Sequence, residues 1–185
     1  GKALRDDKIV LAEVGVGPVS MSYGMLVADQ PNVHVLLFEP NPIYIVELRA
    51  AIGSRQNIEL FEVAIGDEPG RLWLSDEGTS SSLEGVASPS AQHKGVVTTK
   101  GFEVDVRRFS DFDKGDIDHL RIDTEGNEFA CLKYLVSRPQ QIFVEMFNDL
   151  ATYVNPHFYE ICQWAERNGY RRAAIQESDF VFVRQ

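Results

Sequence analysis

Apolar and polar positions follow one another along the chain in blocks that predict strands and helices in turn. Apolar runs of strand length alternate with segments whose apolar residues have helical spacing. The predicted main strands are residues 9–13, 33–38, 57–65, 117–122 and 141–146. The predicted helices are residues 20–28, 42–51, 128–136 and 153–168. Strands that alternate with helices imply a parallel sheet with helices on both faces.

Four shorter patterns add to this α/β arrangement. Residues 71–74 and 102–107 alternate between apolar and polar side chains, which indicates two further strands. Residues 170–175 and 180–184 predict two final strands, and the short connection between them makes the pair an antiparallel hairpin. Two helices have a predicted buried side, formed by Ile43, Val46, Leu48 and Ile52 in one and by Phe129, Leu132, Leu135 and Val136 in the other.

Residues 76–101 interrupt the pattern, because they are rich in Gly, Ser and Thr. A loop of this length without structure is uncommon in a compact domain. We expect it to be either a lid over a site or a mobile loop, and Ser82 is a candidate contact to a substrate.

Composition restricts the class of protein. A chain of 185 residues predicts a single domain over 1–185. The net charge of −10 and the lack of a basic stripe argue against nucleic acid or an anionic membrane as partner. No apolar run reaches the length of about 18 residues that spans a membrane. Cys131 and Cys162 fit no metal motif, so a reducing, cytoplasmic location is expected.

A glycine turn follows the first strand and is the first candidate ligand site. Gly15 and Gly17 allow the chain to turn sharply and bring bare backbone close to a ligand, and Pro18 suits the first turn of a helix. Glu39 ends the second strand about 20 residues later, where an acid can bind ribose hydroxyls. Alternatively, Glu39 only caps the helix that follows. The turn lacks the third glycine of a dinucleotide site, which weakens, without removing, the alternative of a nicotinamide-dependent oxidoreductase.

Three acids follow the strand at 117–122. Because ligands in open α/β sheets bind at the carboxyl ends of the strands, Asp123 should face the same crevice as Gly15 and Glu39. Neighbouring carboxylates such as Asp123 and Glu125 can provide a general base or a site for a hard cation. Glu128 either joins this group or lies exposed in the first turn of the next helix, where the helix dipole favours an acid.

Five segments follow one another within residues 9–146: VGVGPVSMS, LFEPNP, FEVAIGDEPG, LRIDTEGNEFACL and IFVEM. In this order they resemble the FkbM-like family of S-adenosylmethionine-dependent methyltransferases. The resemblance implies a Rossmann-like class I methyltransferase fold, with a mostly parallel seven-stranded sheet and a C-terminal antiparallel hairpin. It also implies S-adenosyl-L-methionine as cofactor and O-methyl transfer to a hydroxyl of a sugar, glycan or related natural product.

The resemblance further assigns roles to residues of this chain. The cofactor would contact Glu13, Gly15 and Gly17 at its methionine end, Glu39 with Pro40 at its ribose, and Ala64 with Ile65 at its adenine. Asp123 and Glu125 would lie beside the transferred methyl group, and Glu145 would close the acceptor side. Asp123 is our candidate for the base, while Glu125 would orient the acceptor or hold a cation. Weaker acceptor candidates are Ser82, Asn148 and His157.

Two departures from the family and one open cofactor remain. Val19 replaces a common glycine, which keeps a degenerate, non-catalytic binding module as a further alternative, and Arg121 replaces a lysine. A divalent cation at Asp123 and Glu125 is left open. The absence of a nearby histidine pair would favour Mg²⁺ or Ca²⁺ over Zn²⁺ there.

Overall fold

The computed structural model describes residues 7–84, 100–147, 154–176 and 178–185. Its strands are β1 (Ile9–Val14), β2 (Val33–Phe38), β3 (Ile58–Phe61), β4 (Ala64–Ile65), β5 (Gly70–Ser75), β6 (Gly101–Arg107), β7 (His119–Ile122), β8 (Gln141–Glu145), β9 (Tyr170–Gln176) and β10 (Asp179–Arg184). Its α-helices are α1 (Tyr23–Val27), α2 (Pro42–Ile52), α3 (Glu128–Lys133) and α4 (Phe158–Arg167). Short 3₁₀ turns cover Val19–Met21, Gly78–Ser80 and Phe109–Asp111.

Seven strands form the main sheet in the order β3-β2-β1-β7-β8-β10-β9. All neighbours from β3 to β8 are parallel, and β10 is antiparallel to both β8 and β9. The predicted mostly parallel sheet with a terminal hairpin is therefore confirmed. The strand order reverses between β1 and β7, and open α/β sheets bind ligands at such a point.

Two apolar clusters pack on opposite faces of the main sheet, and β1 contributes side chains to both. Val10, Ala12 and Val14 pack in the larger cluster together with residues of α3 and α4. Leu11 points to the opposite face and packs in the cluster that includes Leu48 of α2. The alternation of buried positions follows from the two-residue period of a strand that is covered on both sides. None of the helices in the described ranges has the length and apolar content needed to cross a bilayer.

A second, three-stranded sheet has the order β4-β6-β5, and we call it the small sheet. The prediction of a single strand over residues 57–65 is therefore wrong. Its first part, β3, extends the main sheet, whereas its second part, β4, pairs with β6. The apolar pattern does not show this division, because the residues between the two parts include neither Gly nor Pro.

Two predicted helices begin or break elsewhere. The helix expected over residues 20–28 is divided at Ser22, whose hydroxyl donates to Glu13 Oε2 at 2.7 Å and accepts from Met25 N at 3.1 Å. Ser22 thus becomes the N-cap of α1. The helix expected over residues 153–168 begins only at Phe158. Val154 instead pairs with Phe147 as an isolated bridge.

The buried side of α2 differs from the prediction. Leu48 is fully buried, as expected, and Ile52 packs partly against the same cluster. Ile45, however, is buried in place of Ile43 and Val46, which are 55% and 69% exposed. The sequence PIYIVELRAAI has apolar residues around most of the helix, so spacing alone does not select one side. Leu132 of α3 is buried, as predicted. Leu135 and Val136 both follow the end of α3, and Leu135 is buried whereas Val136 is exposed.

Two substitutions in α2 test this corrected orientation. Leu48→Ala should lower the free energy of unfolding by about 2–5 kcal/mol, because it leaves a cavity in a packed core. Val46→Ala should remain within about 0.5 kcal/mol of the wild-type value, since that side chain faces solvent. Urea denaturation followed by circular dichroism measures both, and equal losses would contradict the orientation.

Candidate active site

A cavity that opens to solvent lies at the carboxyl ends of β1, β2 and β7, and the empty space in and around its mouth is about 730 Å³. Its wall combines the glycine turn, the end of β2 and the turn after β7 with residues of the small sheet. The predicted candidates in this wall are Gly15, Gly17, Glu39, Pro40, Ala64, Ile65, Asp123 and Glu125. Residues from four separate parts of the sequence are thus brought to one crevice.

The glycine turn fits closely against the end of β7. Gly15 has φ +81°, and a Cβ built on it would lie 1.7 Å from the carbonyl oxygen of Asp123. Gly17 has φ +65° but open space around a built Cβ. Only Gly15 therefore needs glycine for both its conformation and its close contact.

Glu39 lies buried at the floor of the turn. Its carboxylate accepts hydrogen bonds from Gly17 N and Asn41 N, both at 2.8 Å. Burial raises its pKa in spite of these bonds. The N-cap of α2 is Asn41 itself, whose Oδ1 accepts from Ile43 N at 3.0 Å. Asn41 Nδ2 is buried in the cavity wall without a hydrogen-bond partner among the described residues. Sequence reasoning missed this amide, because the motif EPNP indicates only a turn.

Glu13 lies behind the turn rather than in the cavity wall. Its carboxylate accepts from Ser22 Oγ at 2.7 Å, Tyr23 N at 3.0 Å and Gly24 N at 2.9 Å. A Cβ built on Gly24 would lie 2.7 Å from Val35 Cγ1, so α1 reaches the sheet at this glycine. Val19 precedes α1 and lies outside the wall. The close approach of α1 to the sheet therefore requires glycine at position 24.

Asp123, Glu125 and Glu145 form what we call the acidic cluster. One carboxylate oxygen from each lies within 4.8 Å of the other two. Oε2 of Glu125 and Oε2 of Glu145 are buried without a hydrogen-bond partner in the described part of the chain. Oxygen ligands at this separation suit Mg²⁺ or Ca²⁺, so these three residues are the ones that could hold a cation.

Burial dominates the protonation of the acidic cluster. It raises the pKa of Asp123 to about 7, of Glu125 to about 8 and of Glu145 to about 10. Neighbouring carboxylates raise these pKa values further, while Arg121 lowers that of Asp123. Arg121 also lies 3.6 Å from Asp179. Near neutral pH, Glu145 and Glu125 thus hold protons, and Asp123 is the member that can most readily release or accept one.

Glu128 is fully buried, so the alternative of an exposed acid in the first helical turn is wrong. Its Oε1 accepts from Thr124 N and Thr124 Oγ1 at 2.9 Å and from Gly126 N at 3.0 Å. Its Oε2 accepts from Asn155 Nδ2 at 2.7 Å. The preference for an exposed acid at a helix N-terminus depends on local sequence alone, whereas one partner of Glu128, Asn155, lies on a distant segment.

The acceptor candidates lie apart from the cavity or outside the described residues. Ser82 pairs with Ser75 through its backbone, and the neighbouring Ser81 is the one in the cavity wall. His157 stacks on Phe129 at 5.4 Å and lies 3.6 Å from Glu160. Asn148 lies outside the described residues.

Comparison with known proteins gives a family and a set of similar folds. A sequence model of the methyltransferase FkbM domain matches residues 14–172. No curated protein gives a significant match. Similar solved structures include Methanococcus jannaschii fibrillarin pre-rRNA processing protein, with 13% identity and TM-score 0.48 over 95% of this chain and 66% of that chain. Precorrin-6y C5,15-methyltransferase from Geobacter metallireducens has 14% identity and TM-score 0.48 over 96% and 80%.

Aeropyrum pernix fibrillarin in complex with natively bound S-adenosyl-L-methionine is also similar, with 10% identity and TM-score 0.48 over 97% of this chain and 66% of that chain. The present chain thus spans just under two thirds of each fibrillarin chain. Likeness at such identities concerns the fold alone.

The two glycines of the turn provide a matched test of the packing at the cavity. Gly17→Ala should lower the free energy of unfolding by about 1–2 kcal/mol, the cost of a left-handed conformation in a residue with a side chain. Gly15→Ala should cost at least about 2 kcal/mol more, because its methyl group overlaps the Asp123 carbonyl and must separate β1 from β7. Denaturant titration measures the difference, and equal effects would contradict the close contact.

Proposed function

The chain belongs to the FkbM methyltransferase family, and from that premise we propose that it transfers a methyl group from S-adenosylmethionine to a hydroxyl of a sugar, glycan or related natural product. The class I methyltransferase fold predicted from the sequence is confirmed, and family and fold together support an S-adenosylmethionine-dependent methyltransferase. The observation that carries the choice of a hydroxyl acceptor is that Asp123 and Glu125 line the same cavity as the glycine turn and Glu39.

The cavity wall fits an adenosyl cofactor. Glu39 offers carboxylate oxygens, and the unpartnered Nδ2 of Asn41 offers a donor, to the hydroxyls of a ribose. Ala64 and Ile65 offer an apolar surface to an adenine ring. The open space at Gly17, where a built Cβ would meet no atom within 4 Å, leaves room for the methionine end. When bound, S-adenosylmethionine would supply a methyl group on a sulfonium: the acceptor oxygen would bond to the methyl carbon as the carbon–sulfur bond breaks, and S-adenosylhomocysteine would leave as a neutral thioether. The protein then has to align that oxygen and remove its proton.

Asp123 is our proposed general base. Its pKa of about 7 is the lowest in the acidic cluster, so it is the member most available in its carboxylate form near neutral pH. The proton of the acceptor hydroxyl would pass to Asp123. Because ionised Asp123 is needed, kcat/KM should rise with pH through about 7.

Glu125 and Glu145 are proposed to orient the acceptor as protonated acids. A protonated carboxyl donates one hydrogen bond and still accepts others, which matches a neutral molecule with several hydroxyls. The buried and unpartnered Oε2 of each residue leaves such a hydrogen bond unmade. This arrangement supports a sugar-like acceptor. The proposal is tested by incubating the protein with labelled S-adenosylmethionine and a panel of monosaccharides and methyl glycosides, followed by mass spectrometry for methyl ethers.

The competing functions are less well supported. The binding-module alternative depended on Val19, whose branched side chain would restrict the approach of helix and cofactor, and Val19 lies outside the cavity wall. An oxidoreductase would use a nicotinamide cofactor. Calorimetric titration of the protein with NAD(H) and with S-adenosylmethionine separates these readings, and binding of NAD(H) alone would overturn the proposal.

Asp123→Asn tests the base. We expect kcat to fall by about 10²-fold or more while the Kd for S-adenosylmethionine stays nearly unchanged, because the asparagine cannot take up the proton. The rise of kcat/KM through pH 7 should disappear as well. Unchanged turnover would remove Asp123 from this role.

A chelator provides the control for the base assignment. If the acidic cluster instead holds a divalent cation, EDTA should abolish wild-type turnover and added Mg²⁺ should restore it. Turnover that persists in EDTA leaves proton transfer as the function of the cluster.

Glu39→Ala tests the ribose contact. Removal of a buried hydrogen-bond acceptor should raise the Kd for S-adenosylmethionine about tenfold or more. Glu47→Ala is the matched control, because Glu47 is the same type of residue but lies exposed on α2. Isothermal titration measures both, and equal Kd values for Glu39→Ala and wild type would contradict the assignment.

A further inference from the structure

Glu128 holds the turn that carries Glu125. Its Oε1 accepts two hydrogen bonds from Thr124 and one from the backbone of Gly126. Glu128 therefore binds the residues on both sides of Glu125. Glu128 has no exposed surface and is not part of the cavity wall. Any effect it has on the reaction must therefore act through its neighbours.

Glu125 needs this support because its backbone is strained. Its φ of +55° is in the left-handed region. Among the described residues other than glycine, only Glu125 and Asn32 have a positive φ. Such a conformation persists in a long side chain only where the surroundings fix it. The three bonds to Glu128 Oε1 provide that fixation, and they keep Glu125 in the cavity wall.

Asn155 extends the same contact to β8. Its Nδ2 donates to Glu128 Oε2 at 2.7 Å and to the carbonyl oxygen of Glu145 at 3.2 Å. Its backbone N donates to the carbonyl oxygen of Met146 at 2.9 Å. Asn155 is 2% exposed, so these bonds form in an environment where water cannot replace them.

We infer that Glu128 and Asn155 form a positioning pair that fixes Glu125, on the turn after β7, relative to Glu145, at the end of β8. The inference rests on the proposed function, since it assigns the pair to the alignment of the acidic cluster. Thr124 and Gly126 transmit the position of Glu128, and the carbonyl of Glu145 transmits that of Asn155. The side chains of the pair touch neither the cavity nor, by this argument, the reacting atoms.

Asp113 provides a matched control for a purely stabilising role. It is also a buried carboxylate, and it accepts from Gly115 N at 2.8 Å, Val136 N at 2.7 Å and Ser137 N at 2.6 Å. These donors lie beyond the opposite end of α3, away from the cavity wall. Asp113→Asn should therefore lower stability without changing the alignment of the acidic cluster.

The test compares Glu128→Gln, Asn155→Asp and the double variant. Glu128→Gln places an amide donor opposite Nδ2 of Asn155, and Asn155→Asp places a second carboxylate opposite Glu128. The double variant restores one donor, Nε2 of residue 128, opposite one acceptor at residue 155. With the best methyl glycoside acceptor of the panel, we expect each single variant to lose at least tenfold in kcat. KM and the Kd for S-adenosylhomocysteine should stay within about threefold. The double variant restores the contact between residues 128 and 155 but not the donor to the carbonyl oxygen of Glu145, so it should regain only part of the lost kcat.

Amide hydrogen exchange supplies a readout that does not need turnover. Exchange at Thr124 and Gly126 should accelerate at least tenfold in Asn155→Asp and return toward the wild-type rate in the double variant, whereas Asp113→Asn should accelerate only Val136 and Ser137. Wild-type kcat in both single variants would overturn the positioning pair while leaving the proposed function intact. If the wild type transfers no methyl group, the proposed function fails, and unchanged exchange at Thr124 and Gly126 would overturn the pair independently.

Discussion

The contact between Gly15 and the carbonyl of Asp123 is the constraint on which the site depends. A Cβ at Gly15 would lie 1.7 Å from that oxygen, so only glycine allows the ends of β1 and β7 to lie so close. This closeness brings the turn, Glu39, Asp123 and Glu125 to one cavity. The small sheet completes the wall from the other side, because Ala64 and Ile65 leave the main sheet to pair with β6.

Much of the fold follows from local pattern, and its departures have long-range causes. Mostly apolar runs predict β1, β2 and β8 well, because a strand buried on both faces consists mainly of apolar residues. The break at Ser22 could not be predicted, since it depends on a hydrogen bond to Glu13, nine residues away. The predicted buried side of α2 is wrong because apolar residues nearly surround the helix. Packing against the sheet, and not the spacing of apolar residues, therefore determines that Ile45 is buried.

The site divides in the same way between position and partner. Asp123, Glu125 and Glu39 could be placed in the cavity from sequence, because each follows directly on a strand end at the same edge of the sheet. The burial of Glu128 could not, because its partner Asn155 belongs to a segment after β8. Strand ends are visible in a sequence, whereas the partner of a buried polar group is decided by tertiary structure.

Burial of the acidic cluster and its proposed chemistry have one origin. Carboxylates lose solvation when buried, so Glu125 and Glu145 retain protons near neutral pH, and Asp123 remains close to its titration point. Such acids would repel each other if all three were ionised, and the turn that carries Glu125 is fixed by hydrogen bonds from Thr124 and Gly126 to Glu128. In the proposed mechanism, this support would keep the acids within 4.8 Å of one another, and the low polarity of their surroundings would set Asp123 to accept a proton from a neutral hydroxyl.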